Sequence, residues 1–240
     1  MKIEKSKIQT SETFVLSAIL AMSGGFQDAY TYNVRKEVFS NAQTGNIVLM
    51  SQHIMMGEMM KGLSYLFPVV AFALGVLVAE RIGHRYKGAK RIHWRQIIVA
   101  IEIVILFAVG FIPERYDMIA TMLVSFSCSM QVQAFRKVNG TALSTTMCTG
   151  NLRTGTEQVY RAIIEKSKDK VRIAAQAYGI VIFFSIGAAI GGIVTRIYME
   201  RSILIASAML LIVFISMFRN VEKYILKELE VDDEIEEEEI

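Results

Sequence analysis

The chain has 240 residues, of which 53% are hydrophobic, and a mean hydropathy of +0.39. This apolar content exceeds the roughly 45–50% of ordinary soluble domains, so the excess must be buried in something other than a normal protein core. The formal net charge of +3 combines an acidic C-terminal run at residues 228–240 with a basic remainder. Because the Lys and Arg residues flank apolar segments, we attribute the basic surplus to membrane orientation and expect no nucleic-acid partner.

Six apolar segments follow one another along the chain, and charged residues bracket each of them. Each segment is long enough to cross the hydrocarbon layer of a membrane, which takes roughly 17–25 residues of helix. The segments are residues 13–33, 62–79, 97–113, 116–135, 173–195 and 202–218. The sequence therefore predicts an all-α, polytopic membrane protein with about six transmembrane helices, in a single membrane domain over residues 1–225.

The distribution of basic residues predicts the orientation of these helices. With the N-terminus in the cytoplasm, 20 of the 26 Lys and Arg residues fall in cytoplasmic segments, as the positive-inside rule requires. If residues 35–61 also crossed the bilayer, the basic loop at residues 81–95 would lie outside, so we reject that alternative. We expect both termini in the cytoplasm, a location in the cell (inner or plasma) membrane, and a disordered acidic tail at residues 226–240.

An internal repeat becomes visible when the chain is shifted by 105 positions. The shift places one Thr-Gly-Asn motif on another, each at the same distance from a preceding Ala-aromatic pair. The paired positions are Ala29 with Ala134, Tyr30 with Phe135, Thr44 with Thr149, Gly45 with Gly150, and Asn46 with Asn151. Each half, residues 13–113 and 116–218, contains a helix, a polar elbow with a short helix, and two further helices. Three crossings are an odd number, so the halves form inverted repeats, as in many transporters.

The two Thr-Gly-Asn motifs are predicted to form polar elbows. Thr and Asn are favourable N-cap residues, and Gly permits a close approach of the backbone. We interpret the first elbow as a re-entrant half-helix whose N-terminus points into the protein, where free N–H groups favour an anion or the oxygen of a polar solute. The more charged amphipathic helix after the second elbow, residues 152–166, is expected nearer the cytoplasmic interface. Alternatively, the elbows are structural caps that dock a short interfacial helix. The candidate residues are Gln43, Thr44, Gly45 and Asn46 in the first half and Thr149, Gly150 and Asn151 in the second.

Three polar side chains within the predicted spans are costly in a membrane, which marks either function or a buried pair. Asp28 and its repeat counterpart Gln133 are expected to face the junction between the halves and to orient the elbows by hydrogen bonds. Alternatively, Asp28 is a helix-end residue at the outer interface. Glu102 lies deeper within an apolar span, and we expect it to be protonated, paired or facing a cavity.

Three glycines in the predicted spans are candidates for close helix packing. Gly187 and Gly191 form a GxxxG pattern, which is typical of helices that approach a neighbouring helix or subunit. Gly75 is the counterpart of Gly187 in the first half. The pattern leaves open whether the partner helix belongs to the same chain or to a second copy in a homo-oligomer.

Other chemical signals in the sequence are weak. The methionine-rich segment at residues 51–61 offers thioether ligands for a soft metal, but such residues more often fill apolar space. Cys128 and Cys148 form no CxxC motif, and Walker, GxGxxG, HExxH and GxSxG motifs are absent. We therefore expect no metal, no cofactor and no enzymatic activity.

Several motifs together resemble a known family. Residues 24–32 (GGFQDAYTY), followed by Phe39 and by residues 43–46, are similar to the YoaK-like family of small bacterial multi-pass membrane proteins. Residues 130–135 and 148–151 resemble the counterpart of this motif in the second half. The resemblance covers nearly the whole chain except the acidic tail. It implies a bacterial membrane location without an established biochemical activity.

The leading functional hypothesis is a channel or secondary transporter for a small polar or anionic solute. The site is expected between the two elbows, tuned by Asp28, Gln133 and Glu102. The expected partners are the lipid bilayer and the solute. In the alternative hypothesis, the protein is a non-transporting membrane scaffold or sensor that engages a cytoplasmic partner through its basic loops or acidic tail. A weaker hypothesis is a membrane enzyme that acts on a lipid.

Overall fold

The computed structural model describes residues 13–86 and 93–217, and this part of the chain is helical apart from one short hairpin. The predicted acidic tail at residues 226–240 lies outside the described residues. The helices are α1 (Phe14–Val34), α2 (Gln43–Met55), α3 (Met59–Ser64), α4 (Leu66–Tyr86), α5 (Trp94–Val109), α6 (Asp117–Ala134), α7 (Cys148–Glu165), α8 (Lys168–Tyr198) and α9 (204–217). Short 3-10 helices at Glu114–Tyr116 and Met199–Ile203 precede α6 and α9.

The hairpin follows α6 and consists of β1 (Lys137–Val138) and β2 (Thr141–Ala142), which pair in an antiparallel register. Its turn residues, Asn139 and Gly140, have φ angles of 46° and 81°. Asn and Gly adopt positive φ more readily than other residues, so an Asn-Gly pair favours this tight connection. The hairpin leads the chain from the end of α6 towards the start of α7.

Helices α1, α4, α5, α6, α8 and α9 fall on the six predicted apolar segments. The predicted second segment, residues 62–79, covers the end of α3 and much of α4. Within the described residues, two helical stretches, Met59–Tyr86 and Lys168–Met217, are long and apolar enough to cross a membrane. The all-helical fold is thus confirmed, whereas six crossings remain a prediction.

Each half packs its helices mainly against helices of the other half. Helix α1 lies mainly against α8, and α4 lies mainly against α6. Glycines permit both contacts. A Cβ at Gly187 in α8 would overlap the backbone of Met22 in α1. A Cβ at Gly75 in α4 would overlap the carbonyl of Phe126 in α6. Gly191 also lies against α1, since its Cβ would be 2.9 Å from that of Ala29. All three glycines therefore make intrachain helix contacts.

A buried ion pair ties the end of α1 to the start of α6. The Arg35 side chain is fully buried, and its Nη1 lies 2.8 Å from Oδ1 of Asp117, which is 2% exposed. Its Nε donates to the Tyr30 hydroxyl, and its Nη2 donates to the carbonyls of Val109 and Ile112 at the end of α5. Three helix ends thus converge on one guanidinium. A hydropathy pattern does not identify a partner for Arg35, so the sequence does not predict this ion pair.

Candidate functional site

The same pair of side-chain hydrogen bonds, here called the clamp, joins the first and last residues of each elbow. In the first elbow (residues 39–46), Asn46 Oδ1 accepts from the Phe39 N–H at 3.0 Å, and Asn46 Nδ2 donates to the Phe39 carbonyl at 2.7 Å. In the second elbow (residues 144–151), Asn151 accepts from the Ser144 N–H at 3.3 Å and donates to the Ser144 carbonyl at 2.6 Å. Both pairs of positions are 105 residues apart, so the clamps are equivalent under the repeat.

The prediction that Thr and Asn of these motifs act as N-caps is wrong. The N-cap residues are Ala42 for α2 and Met147 for α7, and neither makes a side-chain capping bond. The Asn residues lie within the first helical turn and use both amide atoms to hold the backbone seven residues earlier. Thr44 and Thr149 are exposed. The motif therefore fixes the shape of the elbow.

Asp28 orients the first elbow by accepting three hydrogen bonds at one carboxylate oxygen. The donors are the Ser40 N–H and hydroxyl, each at 2.9 Å, and the Asn41 N–H at 2.7 Å. Asp28 is only 7% exposed and lies within α1, so its carboxyl group is buried against the first elbow. Gln43 adds to the elbow by donating to the Ser40 carbonyl at 2.8 Å.

Gln133 does not take the corresponding role in the second half, which corrects the prediction from the repeat. Its amide donates to Glu80 of α4 instead. Gln131, 1% exposed, contacts the second elbow, because its Nε2 donates to the Thr145 hydroxyl at 3.1 Å and to the Leu20 carbonyl at 3.2 Å. Two positions along a helix are turned by about 200°, so residues 131 and 133 face nearly opposite directions. The 105-position shift therefore points to the correct helical turn of α6, but the rotation along the helix makes Gln131 rather than Gln133 face the elbow.

The two elbows meet at Gly24 of α1. Asn41 of the first elbow donates through Nδ2 to the Gly24 carbonyl at 3.1 Å. On the second elbow, the methyl group of Thr146 would lie 2.6 Å from a Cβ at Gly24. Asn41 and Thr146 are 105 positions apart and thus occupy equivalent places in the repeat. Only glycine at position 24 lets both elbow tips approach α1 at one point.

A buried polar layer surrounds this meeting point. Gln27 donates to Ser23 at 3.1 Å and accepts from the Cys128 thiol at 2.9 Å, which links α1 to α6. Asn41 Oδ1 and Gln131 Oε1 are buried and accept no hydrogen bond from the described residues. Their orientation is fixed, because each amide nitrogen donates to a backbone carbonyl, which can only accept. The centre therefore presents two free hydrogen-bond acceptors.

The second elbow is open where the first is closed. A Cβ at Gly45 would lie 2.9 Å from the Phe39 ring, which stacks on Tyr32, whereas a Cβ at Gly150 would meet no atom within 4 Å. Beside Gly150 lies a cavity of about 480 Å³.

Cys148, at the start of α7, is half-buried, and burial raises the pKa of its thiol. This side of the second elbow therefore carries no thiolate near neutral pH.

Glu102 is not part of either elbow. It lies in α5 and is fully buried, and neither carboxyl oxygen has a hydrogen-bond partner among the described residues.

The methionine-rich segment exposes four Met side chains around α3, next to a His53 ring whose Nδ1 is 2.6 Å from the Glu58 carboxylate. Within residues 13–86 and 93–217, no group of three or more His, Cys, Asp or Glu side chains could hold a metal ion.

Comparison with known proteins places the chain in a family. Residues 16–216 match the family model described as a protein of unknown function (DUF1275). The chain is also similar to the UPF0700 transmembrane protein YoaK of Bacillus subtilis (strain 168), with 26% identity over 187 residues, which cover 73% of this chain and 80% of YoaK. No solved structure matches. The family match spans most of the chain, and the YoaK-like resemblance of the sequence motifs is confirmed, so the protein belongs to the DUF1275 family.

Proposed function

We propose that this protein is a multi-pass membrane protein that acts as a channel or secondary transporter for a small polar or anionic solute. The observation that carries the proposal is the meeting of the two elbows at Gly24 through the equivalent residues Asn41 and Thr146. In inverted-repeat transporters, the binding site lies where the repeats meet and is built from interrupted helices. The solute would bind between the elbows.

The distribution of polarity supports a membrane location. Large apolar side chains face outward, with Leu77 and Ile193 each 65% exposed and Ile182 57% exposed. Polar side chains such as Gln27 and Glu102 are fully buried. Contiguous exposed apolar surface is unfavourable in water and suits a lipid environment. The relative YoaK is described as a transmembrane protein, which agrees with this distribution.

Equivalent contacts across the two halves support six spans in two inverted repeats. The helices fall on the six predicted segments, and the Asn clamps occupy equivalent positions. The packing between the halves is also similar in the two directions. Gly75 contacts position 126 of α6, and Gly187 contacts position 22 of α1. Position 22 shifted by 105 is 127, one residue from position 126. The positive-inside rule supports a cytoplasmic location for both termini and for the second elbow.

The free acceptors at the centre support a solute pathway. Buried polar groups without partners are costly, and more so in a membrane interior where lipid offers no hydrogen bonds. Asn41 Oδ1 and Gln131 Oε1 would regain hydrogen bonds when a polar solute binds between the elbows. Asp28 would keep the first elbow in place through its three donors.

Solute flux in liposomes tests the proposed function. The purified protein would be reconstituted and screened against small anions and small neutral polar solutes. We expect flux of at least one solute, strongly reduced by Asn41→Ala, by Gln131→Leu and by Gly24→Ala, which forces a Cβ against Thr146. Thr44→Ala is the matched control, since Thr44 is an exposed elbow residue. Absence of all flux with folded protein would refute the transport function.

A further inference from the structure

The cavity beside the second elbow combines an open backbone with two arginines. Its volume is about 480 Å³, and its lining includes Gln133, Arg136, Ser144, Gly150 and Arg153. Both arginines are exposed, and neither pairs with an acidic residue of the described chain. No carboxylate lines the cavity, although Glu80 binds the Gln133 amide nearby. The cavity is therefore a concave surface of positive charge.

Arg136 and Arg153 differ from two arginines further along the chain, each of which lies beside an acidic residue. On α7, Arg161 lies 2.6 Å from Glu157, and on α8, Arg172 lies 3.6 Å from Asp169. A guanidinium presents several N–H groups in a fixed fork that matches a phosphate or carboxylate. Two guanidinium groups on one concave wall thus fit an anionic group.

The first residue of each elbow differs between the two halves, and this difference bears on the cavity. Phe39 covers Gly45 in the first elbow, and the equivalent residue in the second elbow is Ser144. A Cβ at Gly150 would meet no atom, and Gly150 and Asn151 in the first turn of α7 line the same cavity. The N-terminal end of a helix carries partial positive charge, which adds to that of the two arginines. Shape and charge therefore coincide at the second elbow only.

We propose that this cavity binds a phosphate- or carboxylate-bearing ligand, held by Arg136 and Arg153 against the start of α7. The volume is larger than a single inorganic anion, so the ligand is an organic anion or the headgroup of an anionic lipid. If the protein is a transporter, the cavity is the cytoplasmic mouth of the pathway, and this part of the inference rests on the proposed function. Anion binding itself does not depend on transport.

Equilibrium dialysis of the purified full chain against radiolabelled inorganic phosphate tests the site. The protein would be held in nanodiscs of neutral phosphatidylcholine. We expect saturable binding that weakens about 10- to 100-fold in Arg136→Gln and in Arg153→Gln, as expected for loss of a charge-assisted hydrogen bond. Ser144→Phe should abolish binding, because a Phe ring would cover Gly150 as Phe39 covers Gly45 in the first elbow. Ser144→Ala should retain binding. Arg161→Gln is the matched control, since Arg161 lies in α7 like Arg153 but is paired with Glu157.

A second arm identifies the source of the anionic group. Nanodiscs that contain phosphatidylglycerol would compete with phosphate in the wild-type protein if the headgroup occupies the cavity, and would leave phosphate binding unchanged if the ligand is soluble. Either result supports an anion site. Equal binding by wild type, Arg136→Gln and Arg153→Gln, or no binding of phosphate and no dependence on phosphatidylglycerol, overturns it.

Flux measurements separate this inference from the proposed function. Phosphate binding that depends on the two arginines, in a protein without flux of any solute, would retain the anion site and refute transport. Flux of neutral solutes that is unchanged in Arg136→Gln, in a protein that binds no phosphate, would retain transport and refute the anion site.

Discussion

Asp28→Ala is the substitution that tests most directly how the first elbow is held. The carboxylate accepts from the Ser40 N–H, the Ser40 hydroxyl and the Asn41 N–H. Its removal leaves three donors without an acceptor, and each buried unpaired donor costs about 1–3 kcal/mol. Because water can reach part of the opened elbow, we expect the lower end of the sum, a loss of about 3 kcal/mol. Unfolding of the detergent-solubilised protein, followed by circular dichroism, measures this loss.

Two further variants make the reasoning refutable. Asp28→Asn keeps an oxygen acceptor at the same place, so it should lose less than half as much stability as Asp28→Ala. Thr44→Ala changes an exposed residue of the same elbow and should change stability by less than about 0.5 kcal/mol. If Asp28→Ala unfolds like Thr44→Ala, the three hydrogen bonds do not hold the elbow and the argument fails.

Three other predictions follow from the packing and the topology. Arg35→Ala should lower the free energy of unfolding by about 3–5 kcal/mol in a denaturant titration, because it removes the buried ion-pair partner of Asp117. The exposed Arg115→Ala is the control, and an equal decrease in both variants would contradict this. Gly187→Ala should destabilise by about 1–3 kcal/mol through overlap with Met22, whereas Gly192→Ala meets open space and should be neutral or stabilising by up to about 1 kcal/mol. In a chain without native cysteines, an impermeant thiol reagent on intact cells should label Glu58→Cys and leave Lys166→Cys unlabelled, and labelling of both or neither would refute opposite-facing elbows.

The positions of the helices could be predicted from the sequence, because long apolar segments leave few alternatives. Residues 13–33 and 116–135 match α1 and α6 closely. The two Thr-Gly-Asn motifs also marked both elbows correctly as chain segments. Their detailed geometry was not predictable, since capping preferences describe an average helix end. The Asn side chains bind backbone seven residues earlier, a contact that depends on how the elbow folds.

The partners of the buried polar residues could not be predicted, because a hydropathy pattern contains no information on contacts between helices. Arg35 lies outside the apolar segments and is fully buried against Asp117. The repeat position predicts Gln133, yet α6 turns Gln131 towards the elbow. The available signal for the centre was the pairing of Asn41 with Thr146 at the 105-position shift. That pairing becomes meaningful only once both residues are seen at Gly24.

Differences between the two halves carry more information about function than their similarities. The Asn clamps and the packing glycines are shared, so they define the common architecture. At position 28 and its counterpart 133, the first half has a carboxylate that binds its own elbow, and the second has an amide that binds α4. At position 39 and its counterpart 144, a ring covers one elbow and a hydroxyl leaves the other open. Both differences distinguish a covered first elbow from an uncovered second elbow, so the two halves are not interchangeable at these positions.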